Sequence, residues 1–143
     1  MIKVKRQAVL TAGRAWLGTP WRHQGRLKGQ GVDCGGFICG VCQEVGLPYA
    51  YLEAYGRVPD GVQLRAIVEH VCKRVEFGQQ KPGDMLLMKW SINPTHLAFL
   101  SDRGYPFSLL HSCAGARMVT EHNYDREWET RTLSYYTWPE LED

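Results

Sequence analysis

The chain has 143 residues, 44% apolar and 22% charged, with 17 Lys and Arg against 15 Asp and Glu and a net charge of +2. This is the composition of an ordinary globular protein, long enough for one domain over residues 1–143 with a real core, and it argues against disorder. The small, dispersed positive charge, without a Lys/Arg run, points away from nucleic acid as a partner, and no stretch is long enough to span a bilayer.

Residues 4–17 read as an amphipathic helix, with Val4, Val9, Ala12 and Trp16 on one side and Gly18-Thr19-Pro20 as its stop. The N-terminus carries no continuous apolar signal region, so the protein is expected to be cytoplasmic as synthesised unless a larger assembly carries it elsewhere. A loop from Trp21 to Val32, rich in Gly and basic residues, delivers the chain to Asp33-Cys34-Gly35-Gly36. From there Phe37, Ile38, Val41, Cys42 and Val45 recur at helical spacing, with Asp33 as N-cap, Gly46 as stop and Pro48 barring continuation. Cys34 thereby falls in the first turn, where unpaired amides and the helix dipole favour a thiolate. Gly35 and Gly36 are poor helix formers, which implies close approach of something bulky such as a substrate. A buried Cys with Gly chosen for packing is the equally available reading.

The five cysteines, Cys34, Cys39, Cys42, Cys72 and Cys113, are odd in number and lack framework spacing, so they read as reduced thiols. Cys39 and Cys42 form a Cys-x-x-Cys pair inside the helix, with no second pair to complete a zinc site, and no metal or cofactor is expected. An aromatic connection from Pro48 to Pro59 follows, bearing Tyr49, Tyr51 and Tyr55. Asp60 is then placed to cap a third helix with a stripe of Leu64, Ile67, Val68, Val71 and Val75, in which His70 and Cys72 read as structural or exposed.

The period then changes. Apolar runs at Met85–Trp90, His96–Leu100, Ser108–Ser112, Arg117–Glu121 and Arg131–Trp138, separated by turn residues, predict an antiparallel sheet. Helices followed by strands in so short a chain mean an α+β fold. A hairpin folded between Arg103 and Gly104 sets His96 opposite His111 on one face of that sheet. A slip of one residue would turn one of them away. A thiol at a helix start and two adjacent imidazoles on the sheet it packs against are the parts of a Cys–His nucleophilic site, one ring exchanging the proton and the other holding its tautomer. His122 reads as a surface or groove residue, and the stretch with Asp125, Glu127, Trp128 and Glu129 offers no motif.

Taken in order, Gly18-Thr19-Pro20-Trp21, Asp33-Cys34-Gly35-Gly36, Gly83-Asp84, His96-Leu97-Ala98 and Leu110-His111-Ser112 resemble the motifs of the NlpC-type cell-wall cysteine peptidases. The resemblance implies a circularly permuted papain-like fold with N-terminal helices packed on a C-terminal antiparallel sheet. It implies Cys34 as nucleophile, His96 as general base and then acid, His111 as orienting residue, and hydrolysis of peptide or amide bonds in peptidoglycan stem peptides. Oxyanion and substrate contacts would fall to Trp21, His23, Asp33 and Gly35. Trp21 stands where the family commonly has a Tyr, so its indole N–H or nearby His23 would donate in place of the hydroxyl, and Gly35 replaces the usual Ser. Arg22 and Arg26 read either as ligands for stem carboxylates or as solvated loop charges. The Pro20-to-Arg26 run resembles the phage and prophage branch, which implies phage tail proteins as partners and a place in the virion tail. The alternative is a phage tail assembly or docking module that keeps the fold with a weak or inactive site.

Overall fold

The computed structural model describes residues 2–49, 61–90 and 93–143; Tyr51, Tyr55 and the expected cap Asp60 lie outside the described residues. In chain order the elements are β1 (Val4–Lys5), α1 (Arg6–Arg14), β2 (Arg26–Leu27), β3 (Gly31–Val32), α2 (Cys34–Val45), α3 (Gly61–Val71), β4 (Lys73–Val75), β5 (Met85–Trp90), β6 (Asn93–Ser101), β7 (Ser108–Cys113), β8 (Met118–Asn123), α4 (Arg126–Arg131), β9 (Thr132–Thr137) and β10 (Leu141–Glu142).

The ends of α2 are set by local chemistry. Asp33 is extended and its carboxylate accepts the Gly36 N–H at 2.7 Å, while Gly46, at φ 86°, turns the chain out of the helix with its N–H on the Cys42 carbonyl. Between these ends Phe37, Ile38, Val41 and Cys42 are buried. Phe37 stands edge-on to Trp16 at 5.8 Å and to Phe99 at 5.7 Å, so one ring links the chain after α1, helix α2 and strand β6.

The main sheet has the order β4-β9-β5-β6-β7-β8, each described pairing antiparallel. Leu87, Leu97, Phe99, Leu110 and Val119 face the helices and pack with Val9, Phe37, Val41, Leu64 and Val68. Alternate residues, Leu86, Met88, Ala98, Leu100 and Leu109, face the other way and pack with Tyr124, Tyr135 and the partly buried Trp128. Because both faces are covered, β5 to β7 read as continuous apolar runs rather than alternating ones. The result is an α+β architecture with the N-terminal helices on one face of a C-terminal antiparallel sheet.

Four details depart from the sequence reading. Val4 and Lys5 form β1, paired in parallel with Leu141 and Glu142, so the first helix covers only Arg6 to Arg14. The third helix ends at Val71, and Lys73–Val75 becomes an edge strand on β9 that seats Val75 beside the second core layer. Gly31–Val32 pairs with Arg26–Leu27 as a small ribbon before α2. The stretch after Glu121 holds α4, capped by the Asp125 carboxylate on the Trp128 N–H at 3.2 Å.

Asp84 of the Gly83-Asp84 pair is 1% exposed and accepts the Arg6 guanidinium at 2.7 Å and the Lys81 N–H at 2.8 Å, tying the start of α1 to the entry of β5. Removing one partner of a buried pair leaves the other charge uncompensated, so Asp84→Ala is expected to cost about 3 kcal/mol in urea unfolding. A loss below about 1 kcal/mol would reduce the contact to an ordinary surface pair.

Candidate active site

Strands β6 and β7 carry two of the histidines. Their ladder runs Phe99↔Leu110, Leu100↔Leu109 and Ser101↔Ser108, which centres the turn between Gly104 and Tyr105, one residue later than the sequence suggested. Ser108 closes that turn, its Oγ accepting the Arg103 N–H at 2.8 Å and meeting Ser101 Oγ at 2.6 Å. Gly104 approaches the Phe107 carbonyl so closely that a Cβ there would lie 2.2 Å from its oxygen, which fixes a glycine at this place. Continued along the strands, this register sets His111 opposite Ala98, not opposite His96, correcting the expected pairing. The displacement is two residues, so both rings keep to one face as diagonal neighbours. His96 Nε2 and His111 Nδ1 are 2.6 Å apart, and the two residues are 7% and 0% exposed.

A third imidazole continues the row. His122 of β8 pairs with Leu109 in the ladder and brings its Nε2 to 2.8 Å from His111 Nε2; its Nδ1 lies 2.9 Å from the Asn123 carbonyl oxygen. Trp128 of α4 stands edge-on to His111 at 5.1 Å and tilted against His122 at 5.0 Å, with Arg131 stacked over it at 5.1 Å. The sequence held a signal for His122: β7 pairs His111 with Thr120, and a residue two further along the strand shares its face. Ending that strand at Glu121 hid it. Although three imidazoles stand in a row, no group of three His, Cys, Asp or Glu among the described residues is arranged to hold a metal ion.

Cys34 opens α2 and is partly buried. The backbone amides of Leu97, Gly35 and Cys34 itself donate toward its sulfur, so the thiol abuts the strand residue that follows His96. Just beyond, Ser112 Oγ donates to the Val32 carbonyl at 2.7 Å, fastening the residue next to His111 to the approach of Cys34. Burial pushes the thiol up to about 11, the Asp33 carboxylate adds to this, and the three amides only partly oppose it. His96 is moved the other way, down to about 4, by burial and then by the positive charge of Arg131 and by His122. Burial also lowers His111, aided by His96 and His122. These directions together favour a neutral thiol and neutral imidazoles, the opposite of the resting thiolate expected from the helix start alone. The helix end does assist the anion, but the close surroundings cost it more.

The remaining sequence candidates lie around the approach loop. Asp33 is buried and its carboxylate takes the Gly36 N–H, the Gln24 N–H at 2.9 Å and the Arg26 guanidinium at 3.0 Å, so it braces the loop against α2. A Cβ on Gly36 would lie 2.5 Å from the Gly25 carbonyl oxygen, so the bulky neighbour this glycine accommodates is the chain's own loop rather than a substrate. Gly35 is buried in the first turn of α2. Trp21 is half-buried with its backbone N–H on the Arg117 carbonyl at 2.9 Å, the Arg22 N–H reaches the Val32 carbonyl at 3.2 Å, and His23 is exposed. Arg26 is paired rather than merely solvated, and with Arg22, Gly25, Leu27, Gln30 and Gly31 it lines an open cleft. Cys42 is buried as its place in the stripe required, Cys39 is partly buried, Cys72 is buried and His70 is exposed.

No protein-family model matches the sequence, and no curated protein does. Solved structures do. The chain superposes on an NlpC/P60 family protein from Bacillus cereus with a TM-score of 0.70 at 18% identity, covering 93% of this chain and 40% of that one. It superposes on the NlpC/p60 domain of the peptidoglycan hydrolase SagA with 0.64 at 20% identity, covering 92% and 97%. A third match is RipD of Mycobacterium tuberculosis, a non-catalytic NlpC/p60 domain protein adapted to peptidoglycan binding, with 0.61 at 16% identity, covering 94% and 96%. The chain therefore has the NlpC/P60 fold, the papain-like α+β architecture its motifs implied, and it spans less than half the length of the B. cereus protein.

Because His96 falls from its ordinary 6.5 to about 4 on folding, the unfolded chain takes up that proton first on acidification. Stability is therefore intact above about pH 6.5 and declines toward about pH 4, by up to about 3 kcal/mol from this ring. Urea unfolding across that window is expected to show the decline in the wild type and a shallower one in His96→Asn. Parallel curves for the two proteins would mean that His96 is not held neutral by burial.

Proposed function

We propose that the protein is a cysteine peptidase that hydrolyses peptide or amide bonds in peptidoglycan stem peptides, through Cys34, His96 and His111 in one catalytic domain over residues 1–143. One observation carries this reading: the sulfur of Cys34 accepts the Leu97 amide while the adjoining His96 is bound to His111 at 2.6 Å. The thiol thus lies beside the residue that follows His96, and His96 in turn meets His111, an order that supports nucleophile, base and orienting ring.

With thiol and imidazole neutral at rest, proton transfer accompanies attack. His96 takes the thiol proton as the sulfur adds to the substrate carbonyl, so charge develops only once substrate has displaced water. The oxyanion meets the amide of Cys34 at the start of α2, a donor worth about 3 kcal/mol in acyl-transfer sites. Since the backbone N–H groups of Trp21 and Arg22 are already engaged, a second donor from this loop falls to the Trp21 indole or the His23 imidazole. His96 then protonates the leaving amine and a thioester remains on Cys34. Water, losing a proton to His96, cleaves the thioester, and the thiol is restored. Strand alternation puts His96 on the face of Ala98 and Leu100.

The run Pro20-Trp21-Arg22-His23-Gln24-Gly25-Arg26 supports a finer placement among phage or prophage tail-associated peptidases, delivered with phage tail proteins. The raised thiol favours a second reading, in which the fold binds stem peptide or docks in a tail without turnover. Incubation with soluble stem-peptide fragments, followed by mass spectrometry, separates the two. Cleavage is expected, lost in Cys34→Ala with an unchanged urea midpoint and lowered about a hundredfold in His111→Ala. Full cleavage by the Cys34 variant would overturn the mechanism, and fragment binding without cleavage by the wild type would favour the second reading.

A further inference from the structure

We infer that His122 is a positioning residue whose ring selects the tautomers of all three imidazoles in the row, leaving His96 with its proton on Nε2 and its Nδ1 as the base. The inference rests on the reading of Cys34 and His96 as the reacting pair.

An imidazole is an ambiguous orienting group. A carboxylate at that place can only accept a hydrogen bond, whereas the Nδ1 of a neutral histidine either donates or accepts according to which of its nitrogens carries the proton. His111 alone therefore does not decide whether His96 Nε2 donates or accepts at 2.6 Å. Something must choose, and the choice determines whether His96 Nδ1 is a base or an N–H.

The far end of the row makes it. The Asn123 carbonyl oxygen accepts only, so its 2.9 Å contact with His122 Nδ1 requires the hydrogen on that nitrogen. In the neutral ring Nε2 is then bare, and it accepts from His111 Nε2 at 2.8 Å. With its proton on Nε2, His111 has a bare Nδ1, which accepts from His96 Nε2. Each assignment follows from the one before, since a neutral imidazole has one donor and one acceptor. The reverse polarity would aim the lone pair of His122 Nδ1 at the lone pairs of the Asn123 oxygen. Burial holds His96 and His111 neutral, so neither ring escapes the constraint by taking a second proton. Trp128, packed on both His111 and His122, keeps their rings at the angle the contacts need. One main-chain carbonyl at the edge of the row thus sets the protonation pattern three rings deep.

Long-range proton–nitrogen correlation spectra of the nitrogen-15-labelled full chain read each tautomer directly. In the wild type at neutral pH we expect His96 and His111 protonated on Nε2 and His122 on Nδ1. Gln at 122 offers an amide oxygen to His111, so His122→Gln is expected to keep both tautomers and most of kcat. Lys at 122 only donates, so His122→Lys is expected to move the protons of His111 and His96 to Nδ1 and to lower kcat about tenfold or more with KM little changed. A wild-type His96 protonated on Nδ1, or unchanged tautomers in folded His122→Lys, would overturn the inference; should the Lys variant not fold, the wild-type and Gln spectra decide it. The readout needs no turnover. Expected tautomers without stem-peptide cleavage would uphold the anchor and remove the peptidase, while cleavage with insensitive tautomers would do the reverse.

Discussion

Charge is expensive in the place where this site is built. His96 and His111 lie within a sheet covered on both faces, and burial lowers both rings while raising the thiol of Cys34. The hydrogen bond between the two imidazoles, 2.6 Å long and out of contact with water, is therefore one between neutral groups. Its direction has to be set by structure rather than by charge. That single constraint explains why the site extends past His111 to His122 and the Asn123 carbonyl, and why α4 returns to lay Trp128 against the outer rings.

The opposing half is braced with equal care, though by different means. Asp33 caps α2, holds Gln24 and pairs with Arg26, so one buried carboxylate positions the approach loop, the helix start and the cysteine that follows it. Ser112 then fastens Val32 to the strand of His111. The segment after α1 lies between these parts: Gly18 and Thr19 exchange backbone hydrogen bonds with Val119 of β8, and the Val32 N–H donates to the Pro20 carbonyl. Residues that read in sequence as a helix stop thus form the seam between sheet and loop. Helix and sheet are held in register by hydrogen bonds on either side of the sulfur.

Local signals were the most legible part of the sequence. The cap at Asp33, the left-handed turn at Gly46 and the stripe from Phe37 to Val45 are short-range patterns, and α2 follows them. The strands from Met85 to Cys113 were equally plain because burial on both faces makes them continuously apolar. The direct pairing of His96 with His111 was reached through a turn placed one residue early and does not hold, but the nearness of the two rings does, because a displacement of two residues preserves the face. What escaped was non-local or short: the parallel pairing of Val4 with Leu141 joins the two ends of the chain, and α4 has too few residues to show a period. His122 escaped because its role depends on two neighbouring strands at once. The upward push on the Cys34 thiol escaped because a helix start indicates what favours a thiolate, whereas its surroundings, which no local pattern records, decide what opposes it.

The measurement that bears most directly on this account is the ultraviolet thiolate absorbance of the full chain minus that of Cys34→Ala, followed from mildly acidic to alkaline pH. Neutral resting partners predict no thiolate signal at neutral pH and a rise only in the alkaline range, in keeping with a thiol pushed up to about 11. A thiolate already present at mildly acidic pH would mean a resting thiolate–imidazolium pair, and would contradict the claim that burial, rather than the helix end, governs the charge of this site.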